Sequence, residues 1–289
     1  MKAQNTRLGI LLMVGVTFVF AMQDGISRHL AGEYNVLMVV MIRYWFFAAF
    51  AIWLARRKAG SLRAAGATRH PFLQPLRGAL LAVQINVLVL GFVKIGLVGN
   101  HAIFACYPLL IAALSGPILG EFVGWRRWAA IGIGFVGVLI ILQPGFAVFS
   151  PDALLPIAGA LIFATYGLLT RYVGRKDTAI VSFFWVGTVG AVITTLLGAT
   201  QWQPMVAADW VWMLLLSITG VVGHFMLIRA YEVAEASAIQ PFAYLQLVFA
   251  SALGIAVFHE VLELHVAIGA GVVVLAGLFT LWRARQAQG

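Results

Sequence analysis

The sequence predicts an all-α, polytopic membrane protein of ten transmembrane helices arranged as two inverted five-helix repeats. Three observations predict it. Apolar residues make up 62% of the chain, mean hydropathy is +0.98 and only 10% of residues are charged, far below the quarter or so found in soluble domains. Runs of about twenty mostly apolar residues recur, each long enough to cross a hydrocarbon core roughly 30 Å thick. Two parts of the chain also echo one another. Phe20-Ala-Met-Gln-Asp-Gly-Ile-Ser-Arg28-His29 resembles Phe163-Ala-Thr-Tyr-Gly-Leu-Leu-Thr-Arg171-Tyr172, and Leu119-Gly-Glu121 followed by Gly132 matches Phe258-His-Glu260 followed by Gly271. The register slips between the two matches, as an insertion or deletion in a connecting loop would make it do. Continuous runs without alternation exclude a lipid-facing barrel.

The first span, 8–30, follows Lys2 and Arg7 as a signal peptide would. It is too long for one, lacks a small-residue cleavage site and has a counterpart in the second half, so it reads as a mature helix. It carries Gln23 and Asp24. The second, 36–55, carries Arg43 and leads into a basic loop, Arg56 to His70, with no room for a soluble domain. The third, 73–93, holds Gln84 and Asn86. The fourth, 98–118, holds Phe104, Tyr107 and the lone Cys106, a small apolar packing residue with no disulfide partner.

The fifth span, 126–143, contains Gly132-Ile-Gly134-Phe-Val-Gly137. This fits G-x-G-x-x-G literally, but inside a membrane span it reads as close helix packing rather than dinucleotide binding. The sixth, 152–171, has Tyr166 where the first has Gln23, and the seventh, 179–199, contains Trp185. Trp202, Trp210 and Trp212 sit at a span boundary, as an interfacial belt does. The eighth, 210–230, carries His224. The ninth, 236–258, carries Tyr244 and Gln246, and the tenth, 263–282, completes the set.

Basic residues set the orientation. With both termini in the cytoplasm, Lys and Arg of every inner loop fall on one side and only Arg28 and Lys94 fall outside, the asymmetry of an inner-membrane protein. The net charge of +9 and pI of 10.2 therefore reflect topology. They are spread over short loops, which excludes a nucleic-acid partner. Five spans per half is an odd number, so the second half enters the bilayer upside down. Such halves can rock about a central site, the arrangement used for alternating access.

The chain resembles the drug/metabolite transporter superfamily, EamA type, over nearly its whole length, with one unit at 8–143 and another at 152–282. The match rests on Tyr107-Pro-Leu109, Leu119-Gly-Glu121, the Gly-rich fifth span, Gln240-Pro-Phe-Ala-Tyr-Leu-Gln246, Phe258-His-Glu260 and Ile268-Gly269. His259 stands where the family usually has Gly. Asp24-Gly-Ile-Ser-Arg-His29, Arg43-Tyr-Trp45 and Ala234 to Gln246 are similar to the proteobacterial riboflavin-transporter branch. The resemblance implies uptake of a small solute, riboflavin or another aromatic metabolite. An exporter of amino acids or drug-like metabolites is the alternative within the family.

Ionisable groups at membrane depth cost about 2.5–3.5 kcal/mol at a helix centre, so each needs a partner or a wet cavity. Asp24 and Arg43 both lie roughly 9–10 Å from the outer face, counting 1.5 Å per residue; equal depth permits an ion pair that fixes the first helix against the second, and both are also candidates for binding the solute or coupling its transport. Gln84, Asn86, His224, Tyr244 and Gln246 are candidates for the solute cavity, as are Gln23, Tyr107 and Tyr166. Planar rings stack on aromatic side chains. Glu121 and Glu260 are expected to cap the helices that follow them.

No metal or cofactor is expected, because His259-Glu-Val-Leu-Glu263-Leu-His265 lacks metal-ligand spacing. No G-x-x-x-x-G-K-[ST] loop is present to hydrolyse ATP, which leaves gradients or facilitated flow. A membrane-embedded enzyme would need a nucleophile with a base or a metal pair, and none appears. The partners are thus a solute and the lipid bilayer; the residues leave a homodimer open.

Overall fold

A computed structural model describes residues 5–120, 124–142 and 150–286. The described elements are helical: α1 Thr6–Glu33, α2 Val36–Ala59, α3 Leu62–Gly66, α4 Leu73–Phe104, α5 Tyr107–Leu119, α6 Trp125–Leu142, α7 Leu154–Gly174, α8 Ala179–Gly198, α9 Ala207–Val233, α10 Ala236–Ala243, α11 Leu245–Phe258 and α12 Leu264–Gln286. Seven described segments are long and apolar enough to cross a membrane, and Tyr107–Leu119, Trp128–Leu142 and Leu264–Ala276 are shorter apolar helices. The chain is thus a polytopic membrane protein. Large apolar side chains face outward around it, among them Leu11, Phe18, Trp125, Leu196 and Val261, a surface suited to lipid and not to water.

Helix ends follow local chemistry. The side chains of Asn5, Asn35 and Thr178 accept the N–H groups of Leu8, Leu37 and Val181, closing α1, α2 and α8 at their starts. Two interior breaks were not legible as breaks. The expected fourth span divides at Ala105–Cys106, where Pro108 has no N–H to offer the Phe104 carbonyl and the Leu109 N–H reaches back only to Cys106 at 3.0 Å. The expected ninth divides at Tyr244, whose carbonyl accepts the Leu247 N–H at 3.1 Å in the same tight geometry. The expected third and fourth spans, in turn, run on as α4 across a kink at Gly96, where φ is 76°.

The principal packing partners are α1 with α9, α4 with α7, α2 with α8, and α6 with α12. At the last of these, a Cβ on Gly137 would lie 2.7 Å from the Gly269 carbonyl and one on Gly269 2.6 Å from the Gly137 carbonyl. Only two glycines facing each other allow that approach. The packing role read for the G-x-G-x-x-G stretch therefore applies at Gly137. The core between these pairs is built on Phe20, Phe47, Leu81, Phe92, Phe163 and Phe183.

Candidate solute-binding cavity

A small, partly enclosed void opens among α1, α2, α4, α7, α9 and α11. Its polar wall is Gln23, Asp24, Arg43, Gln84, His224 and Gln246, and its aromatic wall is Phe20, Phe92, Phe104 and Phe163. Two of these rings continue into Tyr107 behind them: Phe104 lies 4.8 Å from Tyr107 and 5.6 Å from Phe163, and Tyr107 stands edge-on to Phe163 at 4.9 Å.

Arg43 is buried and does not pair with Asp24. One nitrogen, Nη2, donates to Gln23 Oε1 at 2.9 Å and meets His224 Nε2 at 3.2 Å. For that second contact to be a hydrogen bond, Nε2 must be the accepting nitrogen of a neutral imidazole. Phe20 and Phe47 flank the imidazole at 4.9 and 5.8 Å. Asp24 looks the other way. Gln246 Nε2 donates to its Oδ2 at 3.0 Å, and His101 Nε2 lies 3.1 Å from the same oxygen. The Asp24–Arg43 ion pair that equal depth permits is therefore corrected. Equal depth fixes height but not direction around the helix axis, and α1 packs along α9, α11 and α4 while barely touching α2.

The other expected residues divide. Tyr107 and Tyr244 are buried on a second, smaller void between the two helix breaks, together with His101, Pro108 and Gln246. Asn86 is turned aside, its amide donating to the Ala82 carbonyl of its own helix at 2.8 Å. Two residues of helix turn it about 200° from Gln84. Tyr166 belongs to a different cluster. The Arg77 guanidinium lies 5.3 Å from its ring centroid and Arg77 Nε donates to Thr170 Oγ1 at 3.0 Å. Trp185 donates its indole N–H to the Gly66 carbonyl at 3.2 Å, away from both voids.

Arg77, near the start of the expected third span, is fully buried. It donates to Gln74, whose amide donates to Asp177 Oδ2 at 2.9 Å and Ser182 Oγ at 3.2 Å. In the α7–α8 turn, burial pushes the Asp177 carboxyl up, but donors from Thr68, Gln74 and the Arg69 N–H outweigh it and hold the group below its ordinary value.

Glu260 also departs from its expected role. Its carboxylate accepts the Leu97 N–H at 2.8 Å and the Val98 N–H at 2.7 Å, and it pairs with Arg28, whose guanidinium lies 4.1 Å from the Phe258 ring centroid. It therefore caps the part of α4 that restarts after Gly96, not the helix that follows it. Glu121 lies outside the described residues.

His101 was missed by the sequence reading. It was findable by the rule that selected Asp24 and Arg43, since it is an ionisable group inside an expected span.

The EamA-like transporter family model matches residues 7–143 and 151–282. A protein of Rickettsia bellii named an S-adenosylmethionine uptake transporter is 25% identical over 268 residues, covering 91% of this chain and 90% of its own. A Vibrio cholerae protein named a riboflavin transporter is 26% identical over 285 residues, covering 97% and 95%. A solved crystal structure shares the fold with a TM-score of 0.69 at 16% identity, over 98% of both chains. With helices fit to cross a bilayer, a polar void at their centre and both halves matched, the chain is a transporter and not an enzyme, and it belongs to the EamA-like transporter family of the drug/metabolite transporter superfamily.

Proposed function

We propose that this transporter takes up riboflavin, or a closely similar planar metabolite, across the bacterial inner membrane by alternating access. Its ten spans form two five-helix units, 8–143 and 152–282, inserted with opposite polarity and with both termini cytoplasmic. The packing supports the two-unit reading. If spans one and eight correspond to six and three, then α1 on α9 has its equivalent in α7 on α4, and α5 on α7 has its equivalent in α10 and α11 on α1. Gly120 and His259, which occupy matching places before the two glutamates, both adopt the left-handed conformation, with φ of 70° and 53°.

The observation that carries the solute reading is the pairing of an aromatic wall with Gln23, Gln84, Gln246 and Arg43 around one void. Rings offer stacking worth about 0.5–1.5 kcal/mol beyond burial, and the amides offer both donors and acceptors to a ring edge. A second reading, S-adenosylmethionine uptake, is favoured by the name of the Rickettsia relative and by the presence of an acidic and a basic side chain, Asp24 and Arg43, on the void, which suit a solute carrying both signs. Gln23, Gln84, His224 and Gln246 serve either solute. Tyr107 and Tyr244 act from the adjoining void.

Expression in a riboflavin-auxotrophic bacterium tests the first reading. Growth at low external riboflavin supports it. Absence of rescue with verified membrane insertion overturns it, and accumulation of labelled S-adenosylmethionine by the same cells promotes the second.

A further inference from the structure

Asp24 is the only carboxylate on the main void among the described residues, and both of its partners stand at helix interruptions. His101 lies in the last turn of α4, and its carbonyl accepts the Ala105 N–H at 2.9 Å, at the edge of the break before α5. Gln246 lies in the first turn of α11, just past the break at Tyr244. His101 Nε2 is 3.1 Å from Asp24 Oδ2, with the two side chains 2% and 6% exposed, but no well-aligned hydrogen bond reaches that nitrogen. Phe92 covers the ring at 5.3 Å. A buried imidazole nitrogen facing a carboxylate oxygen at this distance can share one proton with it.

We propose that Asp24 and His101 form the binding site of a proton carried in the same direction as the solute. The proposal rests on the transporter reading above and adds its energy source. Without the proton, the pair is a carboxylate and a neutral imidazole, net −1. One proton from water makes an N–H or O–H bond between Nε2 and Oδ2, bringing the pair to net zero, and leaves unchanged as a proton on the opposite side.

The surroundings decide when the proton binds. Arg43 on α2 faces Asp24 across the void, His224 on α9 lies against Arg43, and Tyr107 on α5 and Tyr244 between α10 and α11 face the pair from the second void. One turn along α1, Arg28 is engaged by Glu260. Arg43 has no carboxylate at ion-pair distance among the described residues. In the empty site, the negative charge of the pair balances Arg43 at longer range. Adding a proton alone leaves one uncompensated positive charge in the membrane interior, which is costly. A solute that presents an anionic or electron-rich oxygen to Arg43 removes that cost. Solute and proton therefore bind better together than either does alone, and the coupling is reciprocal. Because Asp24 joins α1 to both interrupted helices, through His101 on one and Gln246 on the other, the charge of the pair acts where the helices are broken.

The full chain reconstituted in liposomes supplies two tests. In pH-difference infrared spectra, a buried carboxylic-acid carbonyl band grows on acidification, disappears in Asp24→Asn and moves its midpoint in His101→Gln, since the midpoint belongs to the coupled pair. No Asp24-dependent band, or one indifferent to His101→Gln, overturns the proposal. In the second test, an inside-alkaline gradient of one pH unit at zero membrane potential is imposed with labelled riboflavin or labelled S-adenosylmethionine outside. One-to-one coupling concentrates the transported solute about tenfold, and in both variants the accumulation ratio falls to about one at whatever exchange rate remains. A native protein that exchanges either solute but never concentrates it under the gradient overturns the proposal without recourse to a variant. If neither solute is exchanged, the solute reading falls and the infrared measurement decides the proton site.

Discussion

Glu260→Ala removes the carboxylate that accepts the Leu97 and Val98 N–H groups at 2.8 and 2.7 Å and leaves the α4 restart after Gly96 uncapped. Hydrogen bonds to a charged acceptor contribute about 1.5–3 kcal/mol each, and loss of a helix cap costs about 0.5–2 kcal/mol. These overlap, so the loss is about 3–5 kcal/mol. Glu260→Gln keeps one accepting oxygen and loses about half as much. Arg28→Gln is the control: the Arg28 and Glu260 side chains are 21% and 13% exposed, and an ion pair near the surface with a cation–π contact is worth about 1–2 kcal/mol. Thermal unfolding in detergent should therefore rank the variants Glu260→Ala, Glu260→Gln, Arg28→Gln. The first should lie about 10 °C below the native protein, at roughly 2–4 °C per kcal/mol for a chain of this size. An unchanged midpoint for Glu260→Ala, or an equal loss in Arg28→Gln, would refute the cap as what holds this corner. Gly96→Ala should reproduce the Glu260→Ala loss, because the backbone there has φ 76° and a Cβ would sit 2.7 Å from Glu260 Oε1.

His259→Gly should stabilise the protein by about 0.5–1 kcal/mol, because His259 holds a left-handed conformation that glycine adopts without strain; a lowered melting midpoint would assign the imidazole another role. The swapped double variant Asp24→Arg with Arg43→Asp should leave riboflavin-dependent growth unrescued, since each charge has its own partners in His101 with Gln246 and in Gln23 with His224. Restored growth would show that the two charges answer only to each other. Asp177 has a lowered folded value, so its contribution is complete above the unfolded carboxylate value of about 3.9 and fades as pH falls through the folded one. Melting curves of native protein and Asp177→Asn should differ at neutral pH and converge in acid; a gap that widens in acid would reverse the sign.

Much of the fold was legible because a membrane imposes a one-dimensional rule. Asp24, Arg43 and Gln84 stood out for the same reason, as polar groups where lipid penalises them. His101 was equally visible and was passed over. The breaks at Cys106 and Tyr244 were not marked, since Pro108 can open a helix as readily as interrupt one, and the turn at Tyr244 has no such residue at its own position.

By itself the sequence determined that the chain is helical, that it lies in a bilayer, and that its second part echoes its first, because run length, hydropathy and spacing are properties of the chain alone. Tertiary structure decided which polar groups meet: Asp24 with His101, Arg43 with Gln23 and His224, Glu260 with the amides of a distant helix, and Tyr166 with Arg77 outside the cavity. The reason is physical. Helices that are apolar on every side have no marked face, so their sequence states how deep a side chain lies but not the direction in which it points, and direction is settled only when the helices pack.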